Sequence, residues 1–107
     1  MSSDFGFWKR GAGDPADIFD RLAEGDTSDL APDPGVQRFR DALLARWADI
    51  EDVLEPSTFD LEDSPDDALK YVLLTLSVRQ LDYLPAILSM AEDNGLVGFS
   101  GVAGEPI

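Results

Sequence analysis

The segment LKYVLLTLSV, residues 69–78, restricts the fold of this chain more than any other part of the sequence. It is long, apolar and rich in β-branched and aromatic side chains, which is typical of a strand in the interior of a sheet. Because successive side chains of a strand point to opposite faces, one face carries Val72, Leu74, Leu76 and Val78, and the other carries Tyr71, Leu73, Thr75 and Ser77. The apolar side chains of the second face predict either a partner protein or a fourth strand, made from the tail or from STFDL (57–61).

Two further strands are predicted, one near each end of the chain. DFGFWK (4–9) places Phe5 and Phe7 on one side and Trp8 on the other, which is the two-residue period of a strand. LVGFS (96–100) predicts a short last strand.

Apolar periodicity and capping residues predict three helices. The first spans 16–24, and the third covers LDYLPAILSMAEDNG (81–95). The second helix begins at Asp33 and is the strongest of the three predictions, because apolar residues recur at three- and four-residue steps. These residues are Val36, Phe39, Leu43, Trp47, Ile50 and Leu54.

The element order β-α-α-β-α-β predicts a single α+β domain over residues 1–107. We expect a small sheet of about three to four strands with three helices packed on one face. Pro56 and the run DLEDSPDD do not favour a continuing helix, so an acidic loop is predicted at about 55–69. The last residues, at about 101–107, are predicted to form a loose tail.

The negative charge is concentrated in one segment. The net charge is −14, and residues 48–69 contain nine carboxylates and no basic residue. Such a surface repels nucleic-acid phosphates and anionic lipids, so no nucleic acid and no membrane are predicted as partners. A protein with a basic surface is the predicted partner, with a solvated connecting loop as the plainer interpretation. The predicted partner-binding residues are Asp60, Glu62, Asp63, Asp66, Asp67, Trp8 and Tyr71.

The residue types present leave little chemistry for catalysis. The chain has no His and no Cys, which removes imidazole bases, thiolates and the usual zinc ligands. A calcium loop starting at Asp60 would need Gly and Glu where the chain has Pro65 and Tyr71. We therefore expect no enzyme, no cofactor and no metal site.

The N-terminal stretch MSSDFGFWKRGAG lacks the apolar run of a signal peptide, and no segment has the length and apolarity of a membrane span. The expected location is therefore cytoplasmic.

Three stretches, RLAEG (21–25), VQRFRDALLARWADIED (36–52) and MAEDNGLVGF (90–99), carry a resemblance to a known group. The chain resembles small uncharacterised actinobacterial proteins, some of which are similar to immunity proteins of polymorphic toxin systems. In that group a glycine-leucine-valine step leads into a last strand followed by Asp-Pro-Gln. NGLVGF matches the step, whereas SGVAGEPI lacks the Asp-Pro-Gln. The resemblance spans most of the chain after residue 18 and implies an α+β domain without a catalytic motif.

Two functions follow as hypotheses. The first is a non-enzymatic protein-interaction module, in its most specific form an immunity-type inhibitor whose acidic tract covers a basic cleft on a partner. The alternative is a structural or self-associating accessory domain whose acidic tract only confers solubility. In that case a homodimer would bury the spare sheet face at Tyr71, Leu73 and Trp8.

Overall fold

The computed structural model describes residues 2–107, which form four α-helices, seven strands and three 3-10 turns. The strands are β1 (Ser2–Trp8), β2 (Arg10–Gly11), β3 (Leu30–Ala31), β4 (Leu54–Glu55), β5 (Tyr71–Ser77), β6 (Val97–Ser100) and β7 (Glu105–Pro106). The helices are α1 (Pro15–Ala23), α2 (Pro34–Arg46), α3 (Thr58–Asp63) and α4 (Leu84–Asp93). The 3-10 turns are Ala48–Val53, Pro65–Leu69 and Gln80–Tyr83.

One antiparallel sheet in the order β4-β5-β1-β6-β7 organises the fold, while β2 and β3 pair separately. β5 lies next to β1, with Phe7 opposite Val72 and Trp8 opposite Tyr71. The predicted α+β class and the strand β5 are confirmed. The predicted count of three to four strands is wrong, because β4 and β7 are two-residue edge strands, too short to show a two-residue period.

The first face of the sheet is covered by α2 and α4. Its core contains Phe5, Phe7, Val72, Leu74 and Leu76 from the strands, and Val36, Phe39, Leu43, Ile87 and Ala91 from the helices. The rings of Phe7 and Phe39 lie 5.0 Å apart, centroid to centroid, in a tilted arrangement that aromatic pairs favour.

The second face is covered by α1, so the prediction of helices on one face only is wrong. Ile18 and Leu22 of α1 pack on Trp8 and Tyr71, and the ring of Phe19 lies 5.0 Å from that of Phe99. Gly6 permits this close approach: a Cβ atom there would lie 2.9 Å from Phe19 Cδ1. A sheet with apolar side chains on both faces needs a packed layer on each face. In this chain α2 and α4 form one layer and α1 forms the other.

The second helix is shorter than its apolar stripe. α2 ends at Arg46, and Trp47 has an extended backbone conformation before the 3-10 turn Ala48–Val53. Ile50 and Leu54 are nevertheless buried as the stripe predicts. The spacing of apolar residues therefore predicted correctly that Ile50 and Leu54 are buried. It wrongly predicted that the helix continues beyond Arg46, where the backbone leaves helical geometry.

Two segments predicted as a loop and a loose tail contain regular secondary structure. The acidic segment forms α3 and the 3-10 turn Pro65–Leu69, since Ser57 and Asp60 cap the helix and a proline is compatible with the first position of a helical turn. In the tail, β7 pairs with β6, and the Ile107 amide donates to the Gly98 carbonyl at 3.0 Å. STFDL, which the sequence offered as an extra strand, lies mostly in α3.

Within residues 2–107, none of the helices combines the length and apolar character needed to cross a bilayer.

Candidate functional site

Five of the predicted partner-binding residues lie together on α3 and the 3-10 turn after it. We call this group the acidic surface: Asp60, Glu62, Asp63, Asp66 and Asp67. Four of them are exposed, and Asp67 is half-buried. The structure thus brings the predicted carboxylates into one short, regularly folded segment.

A capping box orders the start of this segment. The amide of Asp60 donates to Ser57 Oγ at 3.1 Å, and the amide of Ser57 donates to Asp60 Oδ2 at 3.1 Å. This reciprocal pair satisfies two amides that a helix start leaves without partners. Because α3 buries no residue, the capping box is a main local reason for the helix.

The acidic surface has little internal neutralisation. Within residues 2–107 its one ion pair joins Lys70 Nζ to Asp67 Oδ1 at 3.9 Å. Arg40 is only 5% exposed, and its Nη1 donates to the carbonyl oxygen of Pro56 rather than to a carboxylate. Arg10 and Arg21 pair with carboxylates outside the segment. The negative charge of Asp60, Glu62, Asp63 and Asp66 therefore faces solvent.

An open cleft separates the acidic surface from the C-terminal end of α1. It has a volume of about 490 Å³, and we call it the acidic cleft. Its polar lining consists mainly of Glu24, Glu55, Asp60, Asp63, Asp67 and Tyr71. Glu24 follows α1 and Glu55 lies on β4, so three separate segments contribute carboxylates.

These carboxylates do not converge as metal ligands do. Among residues 2–107, no group of three or more Asp, Glu, His or Cys side chains is close enough to hold a metal ion. Hard cations need several oxygens at short range. The acidic cleft therefore concentrates negative charge without a set of converging metal ligands among the described residues.

Tyr71 lies at the inner wall of the acidic cleft. Its side chain is 9% exposed and packs in the same cluster as Trp8 and Leu22. Burial, with further contributions from the charges of Asp67, Glu55 and Asp60, raises the pKa of Tyr71 to about 12. The phenol is therefore neutral at pH 7 and available both to donate and to accept.

The two predicted aromatic contact residues lie inside the molecule. Trp8 is 2% exposed and packs in one cluster with Ile18 and Leu22, and Tyr71 is 9% exposed and lines the acidic cleft. Of the predicted set, the carboxylates are therefore accessible to a partner, whereas Trp8 is not accessible in this conformation.

Phe59 is a surface residue that the sequence reasoning missed. It lies in the first turn of α3 between Ser57 and Asp60, and 75% of it is exposed. The spacing of Ser57 and Asp60 is a capping-box signature, and would have placed Phe59 on a helix rather than in a strand. A large aromatic side chain beside exposed carboxylates resembles the anchor and polar rim of a protein interface.

No protein-family model, no curated protein and no solved structure matches this chain. Function is therefore inferred from the acidic surface, the acidic cleft and Phe59. The resemblance to immunity proteins of toxin systems names no site residue and stays a prediction.

Proposed function

We propose that this protein is a non-enzymatic interaction module that binds a protein partner with a basic surface. The observation that carries the proposal is that four carboxylates of the acidic surface are exposed and have no ion-pair partner within residues 2–107. A concentrated patch of one sign accelerates association with a surface of the opposite sign and disfavours acidic competitors.

The arrangement also supports a defined orientation of the partner. The capping box stabilises the start of α3. Pro56, which lies just before the capping residue Ser57, accepts a hydrogen bond from Arg40 of α2. Carboxylates on a positioned segment lose less conformational freedom on binding than carboxylates on a mobile loop. Phe59 adds an apolar contact within the same surface. An immunity-type inhibitor that covers a basic cleft on its partner is the most specific form of this proposal.

The alternative, a self-associating accessory domain, has less support. This alternative was based on the prediction that Trp8, Tyr71 and Leu73 form an uncovered apolar face of the sheet. Trp8 and Tyr71 are buried in a cluster with α1, and Leu73 packs against that cluster. These side chains do not provide a free apolar face for a second copy of the chain.

The test compares two variants that each remove five negative charges. The neutral-surface variant carries Asp60→Asn, Glu62→Gln, Asp63→Asn, Asp66→Asn and Asp67→Asn. Asn keeps the capping acceptor at position 60. The control variant removes five exposed carboxylates elsewhere on the chain: Asp14→Asn, Asp17→Asn, Asp20→Asn, Glu92→Gln and Asp93→Asn.

Each variant and the wild type serve as bait in native lysate at low and at physiological salt, and captured proteins are identified. We expect the wild type and the control variant to capture the same basic protein, and the neutral-surface variant to lose it. Capture of no basic protein at either salt concentration would contradict the proposal. Equal capture by the neutral-surface variant would contradict it as well.

A further inference from the structure

We propose that the pair Asn94 and Gly95 is a site of spontaneous deamidation, which the folded C-terminal turn of α4 keeps unreactive and whose modification weakens that turn. The inference goes beyond the proposed function, because the pair lies between α4 and β6 and includes no residue of the acidic surface. It makes this turn the place where a chain that opens is changed irreversibly.

The sequence supplies the reactive pair. Asn94 is the one asparagine of the chain, and a glycine follows it. In deamidation the backbone nitrogen of the following residue attacks the side-chain carbonyl carbon of asparagine and closes a five-membered imide. The new N–Cγ bond replaces the Cγ–Nδ2 bond, so ammonia leaves, and water then opens the imide to aspartate or isoaspartate. Glycine has no side chain to hinder the attack, so the unfolded chain should react readily here.

The folded chain engages the attacking nitrogen in a hydrogen bond. The Gly95 amide donates to the Glu92 carbonyl oxygen at 2.9 Å, and the Leu96 amide donates to the Ala91 carbonyl oxygen at 2.9 Å. These two bonds form a Schellman motif, with Gly95 in the left-handed conformation at φ = +71°. The nitrogen must give up this bond before it can attack Asn94.

The backbone of Asn94 also holds the two reacting atoms apart. Ring closure requires the Gly95 nitrogen to lie on the Cβ side of the Asn94 Cα–C bond. Asn94 has ψ = 4°, so the Gly95 nitrogen nearly eclipses the backbone nitrogen of Asn94 and is rotated away from Cβ. The side-chain amide is held as well, because its Nδ2 donates to the Met90 carbonyl oxygen at 2.8 Å. All three constraints belong to one helical turn, and the opening of this turn removes them together.

The products do not fit the turn that protects the reactant. A carboxylate at position 94 cannot donate to the Met90 carbonyl, and it places negative charge at the negative end of the α4 dipole. Isoaspartate also adds one carbon to the main chain between α4 and β6. Each product therefore weakens the turn, and refolding does not restore the asparagine.

The test measures deamidation of the purified protein at pH 8, in buffer and in urea that unfolds it. Trypsin releases residues 80–107 as one peptide, and chromatography with mass spectrometry separates its asparagine, aspartate and isoaspartate forms. We expect the reaction to be at least about tenfold slower in the folded protein, because the turn must open first. A blocked peptide of residues 90–97 in the same two solvents corrects for any direct effect of urea.

One variant loosens the turn without changing the reactive pair. Leu96→Ala truncates the half-buried side chain that follows Gly95 and packs against the core. In the folded state it should deamidate about threefold or more faster than the wild type, and in urea within about twofold of it. Val102→Ala, which removes an exposed side chain outside the turn, is the control and should react at the wild-type rate. If Leu96→Ala does not fold, the wild-type comparison between buffer and urea decides the matter.

A second variant carries the aspartate product from the start. Asn94→Asp should lower the midpoint of thermal unfolding by about 2–5 °C. Gln37→Glu is the matched control, since it makes the same amide-to-carboxyl change at an exposed position of α2. Its midpoint should stay within about 1 °C of the wild type.

Several outcomes would overturn the inference. They are equal rates in the folded and the unfolded wild type, an unfolded chain in which Asn94 does not react, equal rates for folded Leu96→Ala and the wild type, or an unchanged midpoint of Asn94→Asp. None of these results depends on a bound partner. The proposed function therefore stands or fails separately, by the capture of a basic protein.

Discussion

The buried guanidinium of Arg40 donates a hydrogen bond from Nη1 to the carbonyl oxygen of Pro56, and thereby joins α2 to the residue that precedes the acidic surface. A basic residue next to a negatively charged segment would be expected to neutralise it. Arg40 instead satisfies a backbone carbonyl, and burial lowers the pKa of its guanidinium. Its contact anchors the segment in space without reducing its charge.

Replacing Arg40 with Met should destabilise the protein. Arg40→Met keeps an unbranched apolar stem but leaves the Pro56 carbonyl without its donor, which should cost about 1–3 kcal/mol of unfolding free energy. Urea denaturation measures this loss, and amide exchange should increase at residues 57–63. Arg38→Met on the exposed side of α2 is the control, with an expected change within about 0.5 kcal/mol. Equal unfolding free energies for the two variants would show that the hydrogen bond from Arg40 to the Pro56 carbonyl does not stabilise the fold.

Sodium chloride should stabilise the protein at pH 7. The carboxylates of the acidic surface repel one another, and screening weakens this repulsion because the Debye length is about 10 Å near 0.1 M salt. Thermal melts across a salt series should show a rising midpoint for the wild type and a flatter response for the neutral-surface variant. A midpoint that falls with added salt would mean that the carboxylates are internally paired, and therefore not free for a partner.

Asp33 should make part of the stability depend on acid pH. The Gly35 amide donates to its Oδ1 at 2.9 Å and Arg10 Nε donates to its Oδ2 at 2.9 Å, and both bonds hold the pKa of Asp33 below its ordinary value of 3.8. A lowered folded-state pKa gives stability that is present above the unfolded value and is lost as pH falls through the folded one.

Urea denaturation from pH 6 to pH 2 compares the wild type with Asp33→Asn, which can still cap α2. The wild type should lose more stability than the variant as the pH falls below about 4. Equal pH profiles would mean that Asp33 titrates alike in the folded and unfolded states. Carboxyl chemical shifts of Asp33 give an independent reading of its titration.

Phe59→Ala should weaken partner binding without weakening the fold. With three quarters of the side chain exposed, the change should alter the unfolding free energy by no more than about 0.5 kcal/mol. As an aromatic anchor within a charged rim, Phe59 should contribute about tenfold or more to partner affinity. Val102→Ala, which removes an exposed apolar side chain outside the acidic surface, is the control. An unchanged affinity of Phe59→Ala would confine the interface to the carboxylates.

Local patterns predicted much of what is buried. The strand of residues 69–78 was recognisable because an apolar run with β-branched residues has few other favourable environments, and β5 is central as expected. Apolar spacing indicates which side chains face a core, and Val36, Phe39 and Ile50 are all buried as this spacing predicts. The same spacing could not show that α2 ends at Arg46, since a 3-10 turn continues a similar stripe.

The sequence by itself determined the α+β class, the central strand and the concentration of negative charge, because composition and short-range periodicity express these directly. Only the tertiary structure decided that α1 covers the second face of the sheet, which buries Trp8 and leaves Tyr71 open to one cleft. It also brought Glu24 and Glu55 to the same space as Asp67. These relationships join residues more than ten positions apart through packing, and no local pattern encodes which distant surfaces will pack together.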